Sequence, residues 1–348
     1  MKSIIRIGWI IVLFTACGPS RTVTFHAIRP AEITMPSDIK TILLVDRTKV
    51  KDKTMNIIEG ILTGELPGDD KAAAQEAMMS MKNKLDESPR FDVRLFPGRL
   101  EGNSFTNSFP EALEWEKVQK LCGLNAAQVV VCLEIFDSDF IITNGTRIKK
   151  RYTGEGANRK EVEYTEYFAE GAGRVKIGYR LYDPKDKRII DQQVLTENNR
   201  WEGSGITKMD AVAALINKSN ANKYLASQSG IAYAYKISPL PITITRPFYG
   251  KSKKVPEMQE GSRYADVNDW TGAIDAWKKG LAKASPKDAG KLAYDIAIAY
   301  EVKGEYGTAK TWAQDAYTKY GNKEGRDYVY QLDQRIREET LLGKQMAE

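Results

Sequence analysis

Residues 40–46, Lys-Thr-Ile-Leu-Leu-Val-Asp, place four consecutive apolar residues between polar ends. Such a short apolar run is typical of a strand that is covered on both faces. A second run of this kind, Val-Val-Val-Cys-Leu, occupies residues 129–133. Between the two runs, apolar residues recur with helical spacing over residues 74–85, and they alternate with polar residues over 91–95. This succession of strands and helices predicts an α/β arrangement.

The residues that follow predict antiparallel strands added to that sheet. Thr143-Asn144-Gly145-Thr146 contains the Asn-Gly pair that favours a two-residue hairpin turn. Apolar and polar residues alternate over 175–181, and Asp-Pro-Lys-Asp at 183–186 predicts the next turn. We expect the polar residues 149–165 to form an exposed hairpin or a flexible segment. The fold class predicted for residues 39–237 is therefore a mixed α+β / α/β sheet domain flanked by helices.

The last third of the chain carries an internal repeat. Small and aromatic residues stand at relative positions 0, 3, 12 and 16, and the first three offsets recur 36 residues later. Small residues allow two helices to approach closely, and the aromatic side chain fills the remaining gap. These repeat-packing positions are Gly261, Tyr264, Ala273 and Trp277, followed by Ala297, Tyr300 and Ala309.

This spacing over residues 254–320 resembles two tetratricopeptide repeats, with Gly304-Glu305-Tyr306 as a turn within the second repeat. The resemblance implies an all-α stack of helical hairpins over residues 257–348, whose first helices line a groove for a protein partner. The groove positions that packing within the repeat does not require are Tyr294, Asp295, Ile298 and Glu301, and these are the predicted partner contacts.

Residues 238–256 contain four prolines and a lysine cluster, which predict a linker between the two domains. The cluster is Lys251-Ser252-Lys253-Lys254. It either contacts an anionic lipid or polymer or is simply exposed linker, and the linker is the favoured interpretation.

The first residues predict export and lipid attachment. Lys2 and Arg6 precede the short apolar run 7–16, which leads directly into Cys17. A run of about ten residues cannot cross a bilayer, but it fits a secretory signal peptide. Cys17 with the following Gly-Pro-Ser resembles the bacterial lipoprotein signal. That resemblance implies cleavage after residues 1–16, lipidation of Cys17 and a tether over residues 17–38. An ordinary signal peptide with an incidental cysteine is the alternative.

Residues 40–200 resemble the N-terminal α/β domain of the curli-secretion lipoprotein and TolB translocation families. The features that carry this resemblance are the strand 42–45, the segment 88–93, the run 124–133 and the hairpin 181–190.

Taken with the lipoprotein signal and the repeats, the whole chain is similar to uncharacterised outer-membrane lipoproteins of Bacteroides-like bacteria. In that group an acidic cluster after the cysteine marks surface export, and residues 18–21 lack one. The resemblance therefore implies a protein anchored by lipid to the outer membrane and facing the periplasm.

The composition argues against several function classes. The 348 residues include 52 basic and 46 acidic ones, giving a net charge of +6 without a concentrated basic face. Nucleic-acid binding is therefore not expected. His26 is the only histidine and falls in the predicted tether, which excludes catalytic triads that use histidine and zinc sites built on histidine pairs. We predict no catalytic residue, no metal and no cofactor.

Two further groups of residues leave alternatives open. Asp137-Ser138-Asp139, with Glu134 nearby, could hold a divalent cation, but a solvated acidic loop is the favoured interpretation. Cys122 and Cys132 could form a disulfide in an exported protein, but they are expected to pack as small apolar side chains.

The predicted function is a lipid-anchored interaction module or scaffold at the outer membrane, and not an enzyme. One alternative is an enzyme that uses carboxylates of the sheet domain on envelope glycans or on a nucleotide-like ligand. A second alternative is a subunit of a secretion assembly, which requires residues 143–170 to form amphipathic strands.

Overall fold

The structure is a computed structural model that describes residues 21–48, 69–100, 102 and 108–347. The predicted signal peptide 1–16 and the predicted lipidation site Cys17 lie outside these residues. The described chain divides into two compact units. The sheet unit comprises residues 28–241 with the residues from 342 onward, and the helical unit comprises residues 242–341 with residues up to 27.

Strands and helices alternate in the first part of the chain, and helices dominate the last part. The strands are β1 (Arg21–Arg29), β2 (Thr41–Asp46), β3 (Asp92–Arg99), β4 (Val129–Thr153), β5 (Lys160–Asp183), β6 (Arg188–Gly205) and β7 (Leu240–Phe248). The helices are α1 (Asp69–Leu85), α2 (Trp115–Leu124), α3 (Lys208–Ala213), α4 (Lys218–Ile237), α5 (Pro256–Asp266), α6 (Trp270–Leu281), α7 (Pro286–Val302), α8 (Tyr306–Thr318) and α9 (Lys323–Met346). The predicted fold class, a mixed sheet domain followed by a helical stack, is confirmed.

The main sheet has the strand order β3-β2-β4-β5-β6. Strand β2 runs parallel to β3 and β4, whereas β5 pairs antiparallel with β4 and β6. Side chains of β2 alternate between two cores: Ile42 and Leu44 pack with residues of α1 and α4, and Leu43 and Val45 pack with residues of α2. Because both faces are covered, an unbroken apolar run suits this strand.

The tether predicted over residues 17–38 and the linker predicted over residues 238–256 each contain a strand, so both predictions are corrected. These strands are β1 and β7. These two strands pair to form a separate two-stranded sheet. Val23, Phe25 and Ala27 alternate with polar residues, which is a strand pattern that proline punctuation obscured. A two-stranded sheet has open edges, where Pro241 and Pro247 are tolerated.

The predicted turn at Asn144-Gly145 is also corrected, because both residues lie within β4. Gly145 pairs with Phe168 of β5, and a Cβ atom at Gly145 would lie only 2.9 Å from the Phe168 ring. The glycine therefore allows a close approach instead of making a turn. The chain reverses farther on, where Gly154 and Gly156 have φ values of +84° and +55°, a region that suits glycine.

The helical unit places α5, α6, α7 and α8 one after another, each packed against the next. Helix α7 begins as its sequence favours, since Ser285 Oγ accepts a hydrogen bond from the Asp288 amide and Pro286 takes an early position. Gly304, with φ +78°, follows α7 at the turn into α8.

Candidate functional site

The four predicted partner contacts lie inside the helical unit. Tyr294, Asp295, Ile298 and Glu301 of α7 are all buried, and none is more than 5% exposed. The prediction that they line an open groove is therefore corrected. The face of α7 that carries Asp295 and Glu301 is occupied by this chain's own strand β7.

Two acidic side chains hold β7 and the residue that follows it against this face. Asp295 Oδ1 accepts a hydrogen bond of 2.8 Å from the backbone amide of Tyr249, just after β7. The Arg246 guanidinium donates to both oxygens of Glu301, at 2.7 and 2.8 Å, and the Tyr328 hydroxyl of α9 also donates to this carboxylate. The face on which a partner was expected is thus covered by the chain itself. The alternation Ile-Thr-Ile-Thr over residues 242–245 was the available signal for this strand.

Most of the predicted repeat-packing positions are buried between helices. A Cβ atom at Gly261 would lie 2.2 Å from Trp277 Nε1, and the Trp277 side chain is fully buried. Tyr264, in contrast, is 39% exposed and lies beside Gly272, so it does not fill a gap in the core. The Tyr300 hydroxyl accepts a hydrogen bond of 3.0 Å from Lys278 Nζ. The small positions that are fully buried are Ala273, Ala297 and Ala309.

The central carboxylate of the sheet unit is Glu134, whose side chain is completely buried. It lies 2.9 Å from the guanidinium of Arg47 and 2.7 Å from that of Arg180. The Tyr182 hydroxyl donates a hydrogen bond of 2.7 Å to the same carboxylate. Two guanidinium groups therefore occupy the space that a cation would need at Glu134. The loop expected at residues 137–139 is corrected, because these residues lie within β4 and pair with β5. Within the described ranges there is no group of three side chains suited to a metal ion.

A crevice of about 330 Å³ opens beside α2 and the turn between β5 and β6. Three carboxylates line it, and each is paired with a basic side chain: Asp38 with Lys185, and Asp183 and Asp186 with Arg188. The Cys122 thiol also lines the crevice, and burial raises its pKa to about 11. Each carboxylate of the crevice thus has a basic partner, and the thiol stays protonated near neutral pH.

A ribbon formed by residues 146–166 of β4 and β5, which we call the arm, lies outside the described cores. The last β5–β6 pair is Tyr167 with Gly205, so the arm extends beyond β6 as two strands alone. Its pairing continues to Thr153 opposite Lys160. No residue of the arm belongs to a hydrophobic core cluster of the described chain.

One face of the arm carries Ile148, Lys150 and Tyr152 on alternate positions of β4. The Ile148 side chain is 72% exposed and the Tyr152 side chain 60%. The Arg159 guanidinium lies 4.2 Å from the centre of the Tyr152 ring. Lys150 pairs with Glu161 at 2.7 Å. Large apolar and aromatic groups are thus displayed to solvent between charged neighbours.

The base of the arm is held by an ion-pair network. Arg147 contacts Glu166 and Glu202, each at 2.6 Å, and Lys149 contacts Glu166 at 2.8 Å. The hydrogen bond from Lys149, and after it that from Arg147, lowers the pKa of Glu166. The network orders the start of the arm relative to β6. The sequence predicted an exposed hairpin or a flexible segment here but did not reveal its length, since the Asn-Gly signal fell in the wrong place.

No helix among the described residues combines the length and the apolar character needed to cross a bilayer.

The larger part of the chain matches a known protein family. Residues 39–249 match the family described as "Domain of unknown function (DUF8603)", which is more than half of the sequence. The chain belongs to the DUF8603 family. Residues 259–336 of this DUF8603 protein match a second domain of unknown function, DUF6340. No curated protein matches it.

Several solved structures are weakly similar. The PelC dodecamer from Paraburkholderia phytofirmans is 11% identical, with 62% of this chain and 99% of that chain covered and a TM-score of 0.28. The hypothetical protein CT253 from Chlamydia trachomatis is 12% identical, with 56% and 96% covered and a TM-score of 0.26. TolB from Acinetobacter baumannii is 11% identical, with 62% and 31% covered and a TM-score of 0.20. Similarity at this level carries no argument about function.

Proposed function

We propose that this DUF8603 protein is a non-enzymatic interaction protein of the bacterial cell envelope and that the arm contacts its protein partner. The proposal includes an outer-membrane lipid anchor at Cys17, facing the periplasm. The observation that carries it is the exposure of Ile148 and Tyr152 on a ribbon that contributes to no described core.

The composition of the arm supports a role in protein binding. Tyrosine and arginine are enriched among the residues that dominate binding energy at protein interfaces. The arm combines Tyr152 and Tyr164 with Arg147, Arg151 and Arg159. The Arg151 guanidinium lies 5.2 Å from the centre of the Tyr164 ring, so these groups are already ordered against each other. Ordering before binding reduces the entropy lost on association.

The pairing of buried carboxylates supports the absence of catalysis. Glu134 faces two guanidinium groups in the sheet unit, and Glu301 faces Arg246 in the helical unit. A hydrolase that works with two carboxyl groups needs them to face a substrate across a cleft. Here the buried carboxylates of Glu134 and Glu301 form ion pairs inside the protein and do not face a cleft.

The test is site-specific photo-cross-linking in intact cells. A photoreactive amino acid replaces Tyr152 in one variant and Tyr330, a 70% exposed tyrosine of α9, in the matched control. We expect a defined adduct with one envelope protein from position 152 only. We also expect that adding Ile148→Ser, which removes the neighbouring apolar group, reduces the yield of this adduct. Absence of an adduct at position 152, or the same adducts from both positions, contradicts the proposal.

The anchor is tested separately. Cys17→Ser is expected to release the protein from the membrane fraction while leaving its fold intact. Equal recovery of the variant and the parent in membranes contradicts lipid attachment at Cys17. Because the arm variants keep Cys17, failure of one part of the proposal is distinguishable from failure of the other.

A further inference from the structure

A lysine-lined cavity in the helical unit suggests a binding site that is independent of the arm. The cavity has a volume of about 440 Å³, within the range of roughly 300–1,000 Å³ typical of small-molecule sites. Its walls come from the end of β7, the first turns of α7 and the connection into α9. The lining residues are Tyr249, Lys287, Lys291, Tyr320, Gly321, Asn322, Lys323 and Glu324.

The charge of this lining is positive. Lys287, Lys291 and Lys323 contribute three ammonium groups, and Glu324 contributes the one carboxylate of the lining. The Lys291 ammonium is held in place, 3.7 Å from Asp288 Oδ1 and 5.4 Å from the centre of the Tyr249 ring. An excess of cations around one concave surface attracts an anion.

Two backbone features add to this field. Helices α7 and α9 begin at residues 286 and 323, so the amino-terminal ends of both helices lie at the cavity. The partial positive charge at a helix amino terminus favours phosphate groups.

The lysine cluster at residues 251–254 lies near the same end of the helical unit. Ser252 Oγ donates a hydrogen bond of 3.3 Å to Asp288 Oδ1, which ties this loop to the first turn of α7. Asp288 also accepts from Ser285 Oγ at 3.1 Å. The Asp288 carboxylate beside the cavity is therefore engaged within the fold.

We infer that this cavity binds a phosphate ester with a small polyol group. Lysine ammonium groups are point-charge ligands for phosphate. The volume of the cavity exceeds that of phosphate alone, and the rings of Tyr249 and Tyr320 supply walls against which a glycerol or sugar group can lie. A soluble ester and a phospholipid headgroup share this chemistry.

The experiment uses the full chain carrying Cys17→Ser. Isothermal titration with glycerol 3-phosphate and with inorganic phosphate measures soluble ligands, and co-flotation with phosphatidylglycerol vesicles, against phosphatidylcholine vesicles, measures the headgroup. We expect saturable binding to at least one of these ligands or vesicles. We also expect the Lys287→Gln/Lys323→Gln variant to bind at least ten-fold more weakly. Binding of the soluble ester identifies a free ligand, and binding of phosphatidylglycerol vesicles alone identifies a lipid headgroup.

The matched control is Lys279→Gln/Lys344→Gln, which removes the same charge from exposed lysines outside the cavity. Both cavity lysines chosen for substitution are exposed, so thermal unfolding is expected to be unchanged. The single variant Lys287→Gln is measured as well, in case the double variant folds poorly. We expect it to lose less affinity than the double variant. The inference is overturned if no ligand and no vesicle shows saturable binding. It is also overturned if the control variant loses as much affinity as the cavity variant.

Discussion

The Arg246 guanidinium of β7 donates two hydrogen bonds to the Glu301 carboxylate of α7, at 2.7 and 2.8 Å. The Glu301 side chain is completely buried, and that of Arg246 is 17% exposed. The Tyr328 ring of α9 also lies 5.6 Å from the Arg246 guanidinium. One ion pair therefore joins a strand and two helices within the helical unit.

Removing one member of this pair is expected to destabilise the protein strongly. Arg246→Ala leaves a carboxylate buried without its counter-ion, a change that typically costs about 3–5 kcal/mol. Urea-induced unfolding of the full chain measures the loss. The control is Arg94→Ala, which breaks the exposed pair with Asp92 and is expected to have little effect. Similar unfolding midpoints for the two variants would show that the buried pair does not hold β7.

Asp295 predicts a specific dependence of stability on pH. Burial raises its pKa well above the usual range, against the opposing effects of the Tyr249 amide and the Lys291 ammonium. Above the unfolded pKa of about 3.9, the native state therefore keeps a proton that the unfolded state has lost. The stabilising contribution of this site is present at lower pH and is lost as the pH rises through the folded pKa.

The variant Asp295→Asn removes this titration and keeps an oxygen that can accept from the Tyr249 amide. The thermal midpoint of the variant, measured from pH 4 upward, is expected to fall less with rising pH than that of the parent. Asp266→Asn, at a side chain that is 52% exposed, serves as the control and is expected to keep the parent's profile. If the thermal midpoints of the parent, Asp295→Asn and Asp266→Asn fell equally with rising pH, a raised pKa at Asp295 would be contradicted.

Two strands, β2 and β7, show which features a sequence can reveal. The run 42–45 identified β2 because both of its faces are buried, so the pattern depends on composition alone. Strand β7 escaped prediction because its partner β1 lies more than two hundred residues away in the sequence, and neither strand contains a continuous apolar run. Pairing between such distant segments leaves no local signal except weak alternation.

The helical unit gives the complementary case. The spacing of Gly261 and Trp277 predicted a close contact between two helices, and these residues do meet. The same reasoning placed Asp295 and Glu301 on a face free for a partner. It could not foresee that β7 occupies this face, because the electrostatic match between Glu301 and Arg246 becomes evident only in three dimensions.

Gly261 is expected to tolerate no side chain. A methyl group there would lie 2.2 Å from Trp277 Nε1, so Gly261→Ala must displace the indole or separate α5 from α6. Overpacking of this kind costs roughly 1–3 kcal/mol. Gly307→Ala is the matched control, since its methyl group meets nothing within 4 Å. Urea unfolding is expected to show a loss for the first variant and no loss for the second. Equal urea midpoints for Gly261→Ala and Gly307→Ala would mean that Gly261 and Trp277 are not tightly packed.

The two cysteines of the sheet unit are free and buried, which predicts low reactivity in the native state. Burial raises the pKa of Cys122 to about 11 and that of Cys132 well above its usual value. Since the thiolate is the reactive form, only a small fraction of either thiol can react with Ellman's reagent near pH 8.

In the Cys17→Ser chain, we expect slow modification of the native protein and rapid modification of two thiols per chain in urea. The unfolded thiols regain a pKa near about 8.5, which accounts for the faster reaction. The control Cys122→Ser should leave one reactive thiol in urea and the same slow native rate. A fast native reaction would place a thiol in an activating environment and reopen the enzyme alternative. Absence of reactive thiols in unreduced, unfolded protein would instead reveal a disulfide between Cys122 and Cys132.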